Sequence, residues 1–194
     1  MLAKEAILSR RSCRKYQTKD IPKEVIDDII LAGKSAPTAM NRQEIKFYVI
    51  HNNIKKIQSI GAKVMENRAK AGKSGGWMEE YKKKYEVEDV IFYDSPCIIA
   101  LTADKSGDER ADYWHLMDAG IVTGNILTMA TNYGLGTVPI GIANFLNQEA
   151  VLEGIGADKS KEHLLLVISL GYPVEGYKEK YVEDKPLTSF VKYA

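Results

Sequence analysis

"PCIIALTA", residues 96–103, is apolar almost throughout and lacks the alternation of a half-wet strand. That pattern predicts a strand buried on both faces. The chain on either side supplies helices to cover it. Downstream, residues 112–133 carry the longest helical pattern, with Ala119, Gly120, Thr123 and Gly124 forming a small-residue face that another helix can approach closely. "GLGTVPIGIAN" (134–144) reads as a helix stop, a short strand and a turn. "NQEAVLEGIG" (147–156) reads as a small helix, and "HLLLVISLGYP" (163–173) as the last strand.

Upstream, residues 2–9 form a short helix. A second follows Asp20 and Pro22, where Val25, Ile26, Ile29 and Ile30 recur at helical spacing and Asp20 is the expected cap. "SAPTAMNRQE" (35–44) is a polar loop, and "KFYVIHN" (46–52) a strand rich in aromatic and β-branched residues. Residues 54–71 are helical and "AGKSGG" (71–76) breaks them. "WMEEYKKKYEVED" (77–89) is either a polar, aromatic-studded helix or a mobile excursion. The order predicts one domain over 1–194, α/β or α+β, with three or four core strands wrapped by helices. Its polar end, 174–194, is expected as an extended arm.

Charge narrows the function. Lys plus Arg total 27 against 26 Asp plus Glu, a net charge of +1, so nothing points to nucleic acid. The N-terminus lacks the apolar core of a secretory signal, and no apolar run is long enough to span a bilayer. Two cysteines without metal spacing favour a reducing cytoplasm.

Within this neutral chain, "SRRSCRKYQ" (9–17) packs Arg10, Arg11, Arg14 and Lys15 around Ser12. Guanidinium groups beside a hydroxyl suit phosphate; a solvated turn is the other reading. Cys13 lies between arginines but has no evident histidine partner, and Cys97 reads as inert core. Thr38, Asn41 and Gln43, behind Pro37, suit the edge of a heterocycle or simply a turn. "GLGTVPIG" does not fit a dinucleotide-binding fingerprint, and Gly141 allows a backbone to approach a ligand closely. His51, His115 and His163 lie far apart in sequence with no metal-ligand spacing, so no metal site is expected.

Taken in order, "RRSCRKY", "APTAMNRQ", "GLGTVPIG", "GYP" and a late basic residue before "PL" resemble the FMN-dependent nitroreductase family over nearly the whole chain. The resemblance implies an α+β fold with a central mixed sheet flanked by helices, in an intertwined homodimer with FMN at the subunit interface. It assigns Arg10 and Ser12 to the FMN phosphate and ribityl region, with Arg11 nearby, and Arg14 to the N1/O2 edge of the ring. Pro37, Thr38 and Asn41 would come from the partner subunit, with Gln43 beside them. Pro139, Ile140 and Gly141 would run along the flavin face opposite the substrate, and Lys185 would contact phosphate. The implied activity passes hydride from NADH or NADPH through flavin N5 to a nitroaromatic, quinone or similar electron-poor ring. Same-fold alternatives are reductive dehalogenation, flavin destruction and a non-catalytic flavin-binding module. The chain departs from the family at Glu44-Ile45, where many members have Pro-Trp, and at Glu183, where a second basic residue often stands. Trp77 and Tyr81, four apart, form either an aromatic lid or ordinary helix packing.

Overall fold

The apolar run becomes β2 (Cys97–Asp104), an interior strand of a four-stranded sheet ordered β1-β2-β4-β3. The structure is a computed structural model describing residues 2–72, 76–178, 186 and 189–191. Flanking β2 are β1 (Lys46–His51) and β4 (Glu162–Gly171), with Ile99 opposite Val49 on one side and Ile168 on the other. Beyond β4 lies β3 (Gly136–Ile140). All four strands pair antiparallel; the parallel component of the expected mixed sheet is one isolated bridge, Ser12 to Thr137.

The lack of alternation in β2 has a direct cause: both faces are covered. Ile98 and Ala100 point into one core with Ile57, Ile60 and Val64 of α3 (Ile54–Lys70) and Val151 and Leu152 of α6 (Ile142–Ile155). Cys97, Ile99, Leu101 and Ala103 point the other way, towards Ile26 and Ile29 of α2 (Lys23–Lys34) and Val122 and Ile126 of α5 (Glu109–Asn132). Burial pushes the Cys97 thiol up to about 12, as suits an inert core residue. Among the described residues the remaining α-helices are α1 (Ala3–Ser9) and α4 (Trp77–Tyr85), and a 3-10 turn spans Ala39–Asn41.

Two boundaries differ from expectation. Pro22, not Asp20, occupies the position before α2, its fixed φ leading straight into the helix. α6 starts at Ile142, five residues before the expected helix at 147, and Asn147 interrupts it with φ −149°. Gly141, at the N-cap of that helix, offers no side-chain cap, so the sequence reads there as the turn after β3.

α5, about 36 Å long at 1.5 Å per residue, is apolar on more than one side. Its expected small-residue face is divided. Ala119 and Thr123 are buried against the sheet, while Gly120 and Gly124 face open space. The outer side leaves Tyr113, Trp114, Met117 and Ile121 exposed. Among the described residues no helix is long and apolar enough to cross a membrane. Of the expected arm over 174–194, only 174–178, 186 and 189–191 are described; Glu183 and Lys185 lie outside the described residues.

Candidate functional site

The basic segment is laid along the sheet edge. The Cys13 N–H donates to the Thr137 carbonyl at 2.9 Å, Gln17 N–H to Tyr172 at 2.8 Å, and Val174 N–H to Lys15 at 3.2 Å. Residues 13–17 are thereby clamped between β3 and the chain leaving β4. The buried Tyr16 hydroxyl donates to the Cys13 carbonyl at 2.6 Å, and burial holds that phenol well above its ordinary range. Gly136 makes the close approach possible: a Cβ there would lie 2.5 Å from the Cys13 Cβ.

This arrangement aims Arg10 and Ser12 into a cavity of about 430 Å³, bordered also by Gly134, Tyr177 and Lys178. Arg10 Nη1 is buried and, among the described residues, has no hydrogen-bond partner. Arg11 also lines this cavity, and its Nη1 donates to the carbonyls of Leu8 and Arg10 at the end of α1, both at 2.8 Å. Arg14 enters a second cavity of about 330 Å³, lined on one side by Val138–Ile142 and on the other by Trp77 and Tyr81. Its guanidinium lies 5.8 Å from the Tyr93 ring centre and 5.9 Å from that of Tyr85. These are cation–π distances. Burial raises the Tyr93 phenol, and Arg14 opposes that rise. Tyr93 has φ 59°, a left-handed conformation that is an outlier for so bulky a side chain. Trp77, Tyr81, Tyr85 and Tyr93 stack edge to face, with successive ring centres 5.3, 5.4 and 5.6 Å apart.

The 37–43 loop is built separately. Gln43 N–H donates to Thr38 Oγ1 at 3.0 Å, and Gln43 Nε2 donates to Asn41 Oδ1 at 3.2 Å. Met40, Asn41 and Gln43 all have φ of 53–55°. Asp118 of α5 accepts the Ala39 N–H at 3.1 Å, pinning the loop. Thr38 and Gln43 line a third cavity of about 190 Å³, distinct from the two that contain the arginines.

A family model described as the nitroreductase family matches residues 7–172, most of the chain and all three of these regions. The chain belongs to the nitroreductase family. Among its relatives is a protein of Methanothermobacter thermautotrophicus named "Putative NADH dehydrogenase/NAD(P)H nitroreductase". The two are 31% identical, across 93% of this chain and 83% of that protein. A Caenorhabditis elegans protein named "Iodotyrosine dehalogenase 1 homolog" is 24% identical over 97% of this chain, which spans only 60% of that protein's length. A nitroreductase from Bacteroides fragilis, solved with bound FMN, superposes with a TM-score of 0.80 at 22% identity, covering 100% of this chain and 99% of that one.

Against this nitroreductase fold, the residues expected from sequence fall into groups. Arg10 and Ser12 share one cavity; Arg14, Pro139, Ile140 and Gly141 share the next. Thr38 and Gln43 line neither, and Asn41 is tied to Gln43 rather than to any arginine. Lys185 lies outside the described residues; Lys178 is the described tail lysine at the cavity of Arg10. Sequence reading missed Arg68 of α3, Tyr93 and Lys178, which reach these cavities only through tertiary packing. Trp77 and Tyr81 pack against the core and line the cavity beside Arg14.

Proposed function

We propose that this chain is an FMN-dependent oxidoreductase acting as a homodimer. The observation that carries the reading is Arg10 Nη1, a buried guanidinium nitrogen with no hydrogen-bond partner among the described residues, on a side chain that lines the same cavity as Ser12. An unmet buried donor costs on the order of 1–3 kcal/mol, more when charged, and a phosphate oxygen relieves that cost. Arg10 and Ser12 would hold the phosphate, with Lys178 at the same cavity and Arg11 and Lys185 in supporting roles. Arg14 would place fixed positive charge beside the ring, favouring negative charge there. Pro139, Ile140 and Gly141 would form one wall and keep water from that face, while Trp77 and Tyr81, packed edge to face, line the same cavity. When bound, FMN would supply hydride-transfer chemistry between NADH or NADPH and an electron-poor aromatic acceptor such as a nitroaromatic or a quinone. No side chain need act as general acid, because solvent supplies protons.

The dimer reading rests on α5. A helix apolar on opposite sides requires two partners, and the sheet covers only one side. The outer face with Trp114, Met117 and Ile121 would meet the same face of a second copy. That copy would bring Pro37, Thr38, Asn41 and Gln43 to the flavin, which accounts for their separation from the arginines within one chain. Cys13 and Cys97 are both buried thiols outside any disulfide among the described residues, which accords with a reducing cytoplasm.

A second reading, reductive dehalogenation of a halogenated phenol, is favoured by the dehalogenase-named relative. Purified protein should bind FMN one per chain, and NADH or NADPH should bleach its visible absorbance without oxygen. A protein that leaves added FMN unbound refutes the proposal. Product analysis with nitroaromatic, quinone and iodophenol acceptors separates the two chemistries.

A further inference from the structure

Two of the chain's three histidines, 48 residues apart in sequence, meet in space. His115 Nδ1 lies 3.2 Å from His163 Nε2. Asp112 Oδ1 lies 3.9 Å from His115 Nδ1 and 3.9 Å from His163 Nδ1. Asp112 and His115 stand one turn apart on α5, and His163 projects from the start of β4. His115 is buried, whereas Asp112 and His163 are partly exposed, which leaves an approach from solvent. On its far side His115 Nε2 sits 3.2 Å from Glu44 Oε2.

We propose that Asp112, His115 and His163 form a binding site for a divalent transition metal of the zinc class. The chemistry of Glu44 decides the tautomer. A carboxylate only accepts, so His115 carries its proton on Nε2 and presents the Nδ1 lone pair to His163 and Asp112. A carboxylate that orients an imidazole whose other nitrogen ligates is the recurrent outer shell of metal sites. In the metal-free protein His163 Nε2–H donates to that lone pair. On metal binding the proton moves to His163 Nδ1, so both facing nitrogens ligate. Their 3.2 Å separation is close to the edge of a tetrahedron with metal–nitrogen bonds of ~2.0–2.1 Å, roughly 3.3 Å. Two imidazoles and one carboxylate suit zinc, cobalt or nickel rather than calcium or magnesium, and three protein ligands leave a position for water.

The site joins elements that matter elsewhere. Glu44 follows Gln43 directly, and Asp118, one turn beyond His115, holds the other end of the same loop through Ala39. A bound metal would therefore stiffen the loop that carries Asn41 and Gln43. Glu44 is also where this chain departs from the Pro-Trp of many family members.

Tag-free full-length protein, flavin-loaded, is titrated with Co²⁺ while its visible d–d absorbance is followed, and with Zn²⁺ by calorimetry. One ion should bind per chain. H163Q and D112N should each weaken Zn²⁺ binding at least tenfold, E44Q should weaken it about 10- to 100-fold, and H51Q should leave it unchanged. D112N changes a partly exposed group, so it reports even if H163Q unfolds. Absence of stoichiometric binding overturns the proposal, as does binding that H163Q and D112N leave intact. Unchanged affinity in E44Q overturns the orienting role of Glu44.

Discussion

Asp89 makes stability depend on pH in a way that can be calculated. Its side chain is buried, with Oδ1 accepting the Ile91 N–H at 2.8 Å and Oδ2 buried without a hydrogen-bond partner among the described residues. Burial pushes this carboxyl from 3.8 up to about 7; backbone N–H groups of Ile91 and Phe92 and the Lys82 charge oppose the rise, and Asp94 adds to it. The folded chain therefore holds a proton that the unfolded chain gives up near pH 4. Stability from this group is fully present below the unfolded value and is lost as pH rises towards 7. Between pH 5 and pH 8 the loss amounts to about 3 kcal/mol. Asp89→Asn removes the titration and keeps the shape. His163 works in the opposite sense: burial holds it below its ordinary value, so stability falls as pH drops through that range. Comparing wild type with Asp89→Asn at each pH cancels that contribution. The assay is equilibrium urea unfolding of both proteins at pH 5 and pH 8, at fixed flavin and salt. Relative to the variant, the wild type should lose about 3 kcal/mol between the two conditions. A difference that stays flat refutes the reasoning.

Arg10→Ala should weaken FMN binding roughly 10- to 100-fold, the worth of a charge-assisted hydrogen bond, as read by flavin fluorescence titration. Arg14→Ala should slow flavin reduction by NAD(P)H in anaerobic stopped flow and also weaken FMN binding; unchanged rate and affinity would remove Arg14 from the site. Gly136→Ala puts a Cβ 2.5 Å from the Cys13 Cβ, so it should cost about 1–3 kcal/mol of stability and loosen flavin binding together. Ile121→Glu places a charge on the outer face of α5, and light scattering should show a smaller assembly; an unchanged dimer would put the interface elsewhere.

In each element, legibility depended on whether its cause was local. The run at 97–104 was readable because burial on both faces leaves its mark in every residue of the strand. α2 and α3 were readable because each keeps an apolar stripe at helical spacing over several turns, and α5 because its uninterrupted helical pattern is the longest in the chain. α6 was read too short because no polar cap separates it from β3 and its kink at Asn147 depends on packing. At the site, the arginines and Ser12 stood out because they lie within five consecutive residues, and the 37–43 loop because its polar groups are also neighbours in sequence.

Chain order alone determined which segments are helices and strands and where positive charge gathers, since propensity, periodicity and local charge are properties of neighbours. Only the tertiary structure decided that Arg10 and Arg14 enter different cavities, that Arg68 and Tyr93 join the second, and that His115 meets His163. Those groupings bring together residues tens of positions apart. They follow from the way the sheet and helices pack, and no interval of sequence records that geometry.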